Sequence, residues 1–325
     1  EGNLFYAYAG KFPVRSQEFD WDGILPGNTS QTLWTTYHPF SAVPQVLNPP
    51  SAFIQSCNSG PFNTTVGTGN PVKTTFTPDM RIEEHLTNRS VRALALYGTD
   101  EAITRDEFYA YKYDKLYNPA SRVARWRDAV LAAPLPEDES LAEAVTLIEN
   151  WNLSGEADQT GTALAMLALE LGPSVNAPQE EPDALKRLRT AVEYMLDKHG
   201  RIDIPWGEML RLRRGDVDLP LGGCPDCLRA IDLQLQEDGR FTGINGDCFY
   251  QMVEWLPDGT MNSESVHQYG TAASDKASPH YADQAALFAA ESMRPTLYSE
   301  DAIREHLAIE YRPGAFKGAW YAAVK

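Results

Sequence analysis

SAFIQSCNSGPFNTT, residues 51–65, is the stretch on which the reading of this chain turns. An apolar stub, Phe53 and Ile54, runs into Ser56, Cys57, Asn58, Ser59, Gly60 and Pro61. Asn, Ser, Gly and Pro each have an ordinary role in a turn. This cluster, however, stands directly behind a plausible strand. A side-chain amide presented at a strand end can aim an uncharged donor at an oxygen that gains charge during a reaction. Asn58 is therefore read two ways, as a turn residue or as a catalytic hydrogen-bond donor. Ser56 and Ser59 are weaker candidates as nucleophiles, since no His lies near them in sequence to act as base.

Working outward, residues 1–60 read as strands and long loops. Pro13, Pro26, Pro39, Pro44, Pro49 and Pro50 break helices and favour extended backbone. The loop WDGILPGNTSQTLW carries Trp21 and Trp34, read as capping a core. From about residue 81 to 200 the pattern turns helical, beginning with RSVRALALYG. Thr104-Arg105-Asp106-Glu107 is a capping box. SRVARWRDAVLAA, ESLAEAVTLIENW, GTALAMLALELG and DALKRLRTAVEYMLDKHG follow, the last closing on Gly200 with Lys198 and His199 in its final turn. Alternation returns over 240–270, where two runs flank Asp258-Gly259, a hairpin signal. DQAALFAAESM and SEDAIREHLAIEY read as two closing helices, the second capped by Ser299. Strands, then helices, then strands describe an α+β arrangement. Strands of about 1–60 and 240–270 are expected in one sheet, across a helical region of about 81–235.

The chain has 325 residues, 43% hydrophobic and 22% charged, as ordinary globular domains do. Its formal net charge of −17 repels phosphate backbones and anionic headgroups, which argues against nucleic acid and membrane partners. Residue 1 is Glu, just ahead of NLFYAYAG, which reads as a strand, and the missing leader says nothing about location. Cys224 and Cys227 form CPDC with no second Cys/His pair at ligand spacing, so structural or disulfide cysteines are expected rather than a metal or redox site. Asp216 and Asp218 could attract calcium, but two Asp at i, i+2 fall short of a site. His280 beside Asp283 reads as a capping or packing residue.

Several blocks together resemble one family. GNLFYAYAGKFPVR is similar to a strand-and-turn segment, FDWDGILP to a Trp-Asp-x-Gly-apolar-Pro loop, and NPPSAFIQSCNSGP to an Asn-Pro stretch that ends in an Asn-rich turn. NRSVRALALYGTDEAITRDEF looks like the Arg-bearing helix that follows, and LRRGDVDLPLGGCPD with the closing GDCF…ASPHYADQ…YSEDAIREHL resembles the last blocks. In order and spacing they resemble the penicillin acylase family of N-terminal-nucleophile hydrolases, and residues 1–325 look like the later part of its β chain. The resemblance implies part of an αββα sandwich with a helical insertion, autocatalytic maturation and a periplasmic or secreted location. It implies hydrolysis of an N-acyl compound such as a β-lactam antibiotic, an acyl-homoserine lactone or a lipopeptide. CNSGP and GDVDLPLGG place the chain nearer the lactone and lipopeptide branch. Asn58 falls on the family's oxyanion Asn and Arg89 on its active-site Arg, with Arg92 a close competitor for that place. No cofactor is implied.

The departures matter as much. The family's nucleophile is a free N-terminal Ser, Thr or Cys whose own α-amine takes the proton, and Glu1 cannot act so. This chain alone is expected to be inactive. It is expected to pair with the remaining acylase portion, or with itself through an exposed sheet. Trp151-Asn152 stands where the family has Trp-Asp. The competing reading is a binding or structural protein that kept the scaffold without the nucleophile.

Overall fold

The prolines of the first 60 residues hold that segment extended, and very little of it becomes regular sheet. In the computed structural model, which describes residues 2–169, 183–307 and 310, β1 (Phe5–Ala7) pairs antiparallel with β2 (Gln45–Leu47) in a two-stranded sheet. Phe5 lies opposite Leu47. Backbone bonds such as Val14 N–H to Thr36 O, at 3.0 Å, lace the intervening loop. Trp21 and Trp34 do not cap a core as expected. They flank the guanidinium of Arg15, whose Nη1 donates to the Asp79 carbonyl at 2.6 Å.

The chain divides into two compact units. The first holds residues up to Arg125 together with Asp226–Leu228. After β2 it contains α1 (Asn88–Leu96) and α2 (Arg105–Lys112). Thr87 caps α1 by accepting from Ser90 N–H, and the predicted capping box of Thr104 and Glu107 opens α2. The chain leaves the first unit along α3 (Arg122–Ala132).

The second unit is built on α4 (Glu139–Asn150), α5 (Gly161–Leu169) and α6 (Ala184–His199). Leu188, Ala191, Val192 and Met195 recur at helical spacing and are buried. α5 packs against both its neighbours and is buried on nearly every side. Gly161 opens it because a Cβ there would lie 2.7 Å from that of Trp151. Gly200 closes α6 with a left-handed φ of 71°, which costs glycine nothing. A short α7 (Trp206–Met209) leads into β3 (Leu210–Arg214), β4 (Val217–Pro220), β5 (Ile231–Leu235) and β6 (Phe241–Gly246), ordered β4-β3-β6-β5. The predicted hairpin at Asp258-Gly259 joins β7 (Phe249–Trp255) to β8 (Met261–His267). β9 (Arg294–Pro295) adds to the other side of β8, and α8 (Ala285–Ala289) and α9 (Glu300–Glu305) are the closing helices, α9 capped by Ser299.

The α+β class stands, but two parts of the expected layout do not. Strands of 1–60 and 240–270 do not share a sheet among the described residues: β1 pairs with β2, and β7 with β8. Local partners satisfy their backbone groups. The region 81–235 is not helical throughout, for β3, β4 and β5 lie within it. Leu210-Arg-Leu-Arg-Arg214 alternates with period two, as a half-buried strand does, with Leu210 and Leu212 turned inward. No disulfide forms, since Cys57, Cys224, Cys227 and Cys248 are all free thiols.

Candidate active site

The loop bearing Asn58 is shaped from beneath. Gln55 is buried and spends its whole carboxamide on this loop: Oε1 accepts from Cys57 N–H at 2.9 Å, while Nε2 donates to Asn63 O at 2.7 Å and to Ser59 Oγ at 3.2 Å. Asn58 then takes a left-handed backbone, φ 53°, which Asn tolerates better than most residues. Gly60 follows where a side chain has no room: a Cβ would fall onto the Glu83 carbonyl and stand 2.9 Å from Glu84 Cα. Ser59 is buried beneath the loop, so it is not presented as a nucleophile.

The segment that packs on this loop runs from Glu83 into α1. Alternate residues bind it. His85 Nε2 lies 2.7 Å from Asn58 O, Thr87 Oγ1 donates to Cys57 O at 2.8 Å, and Arg89 Nη2 donates to Asn58 Oδ1 at 3.0 Å. Gly60 N–H returns a bond to His85 O at 2.9 Å. Asn58 itself is exposed, and with Oδ1 taken by Arg89 its Nδ2 hydrogens have no protein partner among the described residues. The amide is thus oriented by its acceptor and open at its donor.

Arg89 is held in turn by Asp226. Its Nε donates to Asp226 Oδ1 at 3.2 Å, so one face of the guanidinium spans from a carboxylate to the amide. Asp226 Oδ2 accepts Asn88 N–H at 2.7 Å, at the start of α1, where the helix dipole favours an anion. Asn88 fixes the same turn, donating from Nδ2 to Asp226 O at 2.9 Å and accepting from Asn118 N–H at 2.7 Å. Arg92, the competitor, is engaged elsewhere by the Asp114 carboxylate through Nε at 2.9 Å and Nη2 at 2.6 Å. Geometry therefore brings Arg89, and not Arg92, to Asn58. Burial raises the Cys57 thiol above its ordinary range; Arg89 opposes the shift and Asp226 adds to it. Cys57 is accordingly a neutral thiol at pH 7 rather than an activated nucleophile.

Asp226 was not singled out from sequence. It sits inside CPDC, whose cysteines drew attention instead. Cys227 donates its S–H to Lys115 O at 3.3 Å, a structural role. The other polar candidates belong to the second unit. Asp218 is engaged by Arg211 and Arg213, and no group of three or more His, Cys, Asp or Glu among the described residues is placed to hold a metal. His280 Nδ1 pairs with Asp283 at 2.8 Å on an exposed turn.

The fold is similar to that of a solved acylase. A thermostable penicillin G acylase from Alcaligenes faecalis superposes with a TM-score of 0.53 at 15% identity, over 95% of this chain and 65% of that one. The family model for penicillin amidase matches residues 1–305, and the chain belongs to that family.

Proposed function

We propose that this chain supplies the oxyanion-binding side of an amide hydrolase that cleaves N-acyl compounds. The observation that carries the reading is the bond from Arg89 Nη2 to Asn58 Oδ1, which leaves the amide hydrogens of Asn58 facing outward. In this reading the nucleophile is the family's N-terminal Ser, Thr or Cys, carried by another portion of the acylase. That portion is the partner this chain requires, and without it the chain is inactive. The nucleophile's oxygen or sulfur attacks the acyl carbon as its proton passes to the α-amine. Negative charge collects on the former carbonyl oxygen, where Asn58 donates. The proton then leaves with the amine, and water resolves the acyl-enzyme by the same path reversed. An uncharged donor suits this task because its hydrogen bond strengthens as charge develops. Arg89 contributes positive potential while Asp226 keeps it in place.

The finer reading is a lactone- or lipopeptide-directed acylase working in the periplasm or outside the cell. The branch rests on the wording of CNSGP and GDVDLPLGG, and the location on the family. Among the described residues no helix is long and apolar enough to cross a membrane.

The test is Asn58→Ala in the mature enzyme that carries this chain, assayed on N-acyl p-nitroanilides of increasing acyl length. Turnover should fall roughly 10²–10³-fold with KM changed little. A thermal melt of the same sample separates this from a turn role, which predicts lost stability and activity in proportion to the folded fraction. Near-normal kcat in a folded variant would return CNSGP to being a turn.

A further inference from the structure

We infer that His85 is a positioning residue for Asn58, holding the backbone of the oxyanion donor as Arg89 holds its side chain; this rests on the oxyanion reading above. The need for it comes from the loop. A left-handed Asn occupies a minor backbone basin, and the peptide that follows it can rotate out. A rotation there would swing the side-chain amide away from wherever Arg89 had aimed it. His85 blocks that rotation. Its ring meets the Asn58 carbonyl at 2.7 Å, and because a carbonyl can only accept, Nε2 carries the hydrogen.

The contact is closed from both sides. Gly60 N–H donates to the His85 carbonyl at 2.9 Å, so residues 58 and 60 are both bonded to residue 85. Only glycine fits at 60, which brings the loop flush against Glu83 and Glu84. The Glu83 carboxylate lies 3.5 Å from the other ring nitrogen, Nδ1. Asn58 is then fixed at two independent points, its carbonyl by His85 and Oδ1 by Arg89, with only Nδ2 left to act.

His85 is partly exposed, and Gln55 and Thr87 hold the loop without it. Removing the ring should therefore loosen the aim of the amide and leave the fold in place. A misplacement of about 1 Å in a catalytic group can cost up to 10²-fold.

The experiment uses the mature enzyme and the same N-acyl p-nitroanilides. His85→Ala should lower kcat about tenfold with KM within about twofold. His85→Gln, whose Nε2 reaches the same carbonyl with an N–H, should recover most of that loss. In an Asn58→Ala background, His85→Ala should cost nothing further, since the group it positions is gone. Full kcat in His85→Ala, while Asn58→Ala is crippled, overturns the role of His85 and spares the oxyanion reading. An equal loss from His85→Ala in both backgrounds, or no recovery with Gln, assigns His85 to structure alone. Normal kcat in Asn58→Ala itself sinks the oxyanion reading, and this inference with it.

Discussion

At the scale of single residues, the arrangement depends on a fork. Arg89 reaches Asp226 through Nε and Asn58 through Nη2, two directions fixed by one plane. A lysine ammonium is a point charge on a flexible stem and cannot present that edge. Arg89→Lys should thus keep the local charge but lose the aim of the amide. Under the proposed function, kcat in the mature enzyme should drop about 10–100-fold, less than the roughly 10²–10³ that outright loss of an oxyanion donor costs, because the charge remains. The melting temperature should move little, because an ion pair that is part-exposed on both sides contributes at most about 1 kcal/mol. Lysine matching arginine in turnover would show that charge alone suffices and that the geometry around Asn58 is incidental. Asp226 makes the same point from the other side. It sits 137 residues from Arg89 in sequence, and no spacing rule connects them. Its place in a tight turn with φ of 60° follows from the fold and is invisible in CPDC read alone.

At the scale of elements, what is local in sequence was legible and what is non-local was not. The capping box at Thr104, the Gly200 stop, the Ser299 cap and the Asp258-Gly259 hairpin each depend on three or four adjacent residues, and each is present. Asn58 could be marked as a candidate because a family's turn is also a local pattern. Sheet partners are set by chain segments far apart, so the expected union of terminal strands was not found, and β3 was passed over inside a helical stretch. Thr87 shows how a local signal can carry a distant duty. Its hydroxyl accepts from Ser90 N–H at 3.1 Å, capping α1, and donates to Cys57 O at 2.8 Å, tying the helix to the Asn58 loop. Thr87→Val keeps the shape and removes both bonds inside a buried site. The expected loss is about 1–3 kcal/mol, a lost cap plus a buried group without its partner. Urea unfolding should show it as a lower midpoint at unchanged m-value, and Thr87→Ser should restore most of it. A Val variant of undiminished stability would mean that water or a shifted loop replaces both bonds.

At the scale of the whole molecule, two forces oppose one another on the surface. The formal charge of −17 repels other copies, while the sheet of β1 and β2 exposes apolar side chains. Phe5 and Leu47, a cross-strand pair, are 55% and 64% exposed, and a two-stranded sheet is marginal without a covered face. Covering one such side chain fully is worth roughly 1.5–3 kcal/mol, and this attraction does not depend on charge screening. Repulsion does: the screening length shrinks from roughly 10 Å at 0.1 M salt to about 3 Å at 1 M. The chain on its own should therefore self-associate more as salt rises. Sedimentation velocity from about 0.05 M to about 1 M sodium chloride should show the mean mass climbing. Phe5→Ser with Leu47→Ser should hold the chain monomeric across that range, since the exposed sheet loses its apolar pair while the net charge stays as it was. A mass that falls with added salt would identify ionic contacts as the attraction. A mass that climbs equally in the double variant would move the sticky surface away from β1 and β2. If the rest of the acylase is what this sheet is built to meet, supplying that portion should suppress the association at every salt concentration, because the same apolar pair cannot be covered twice.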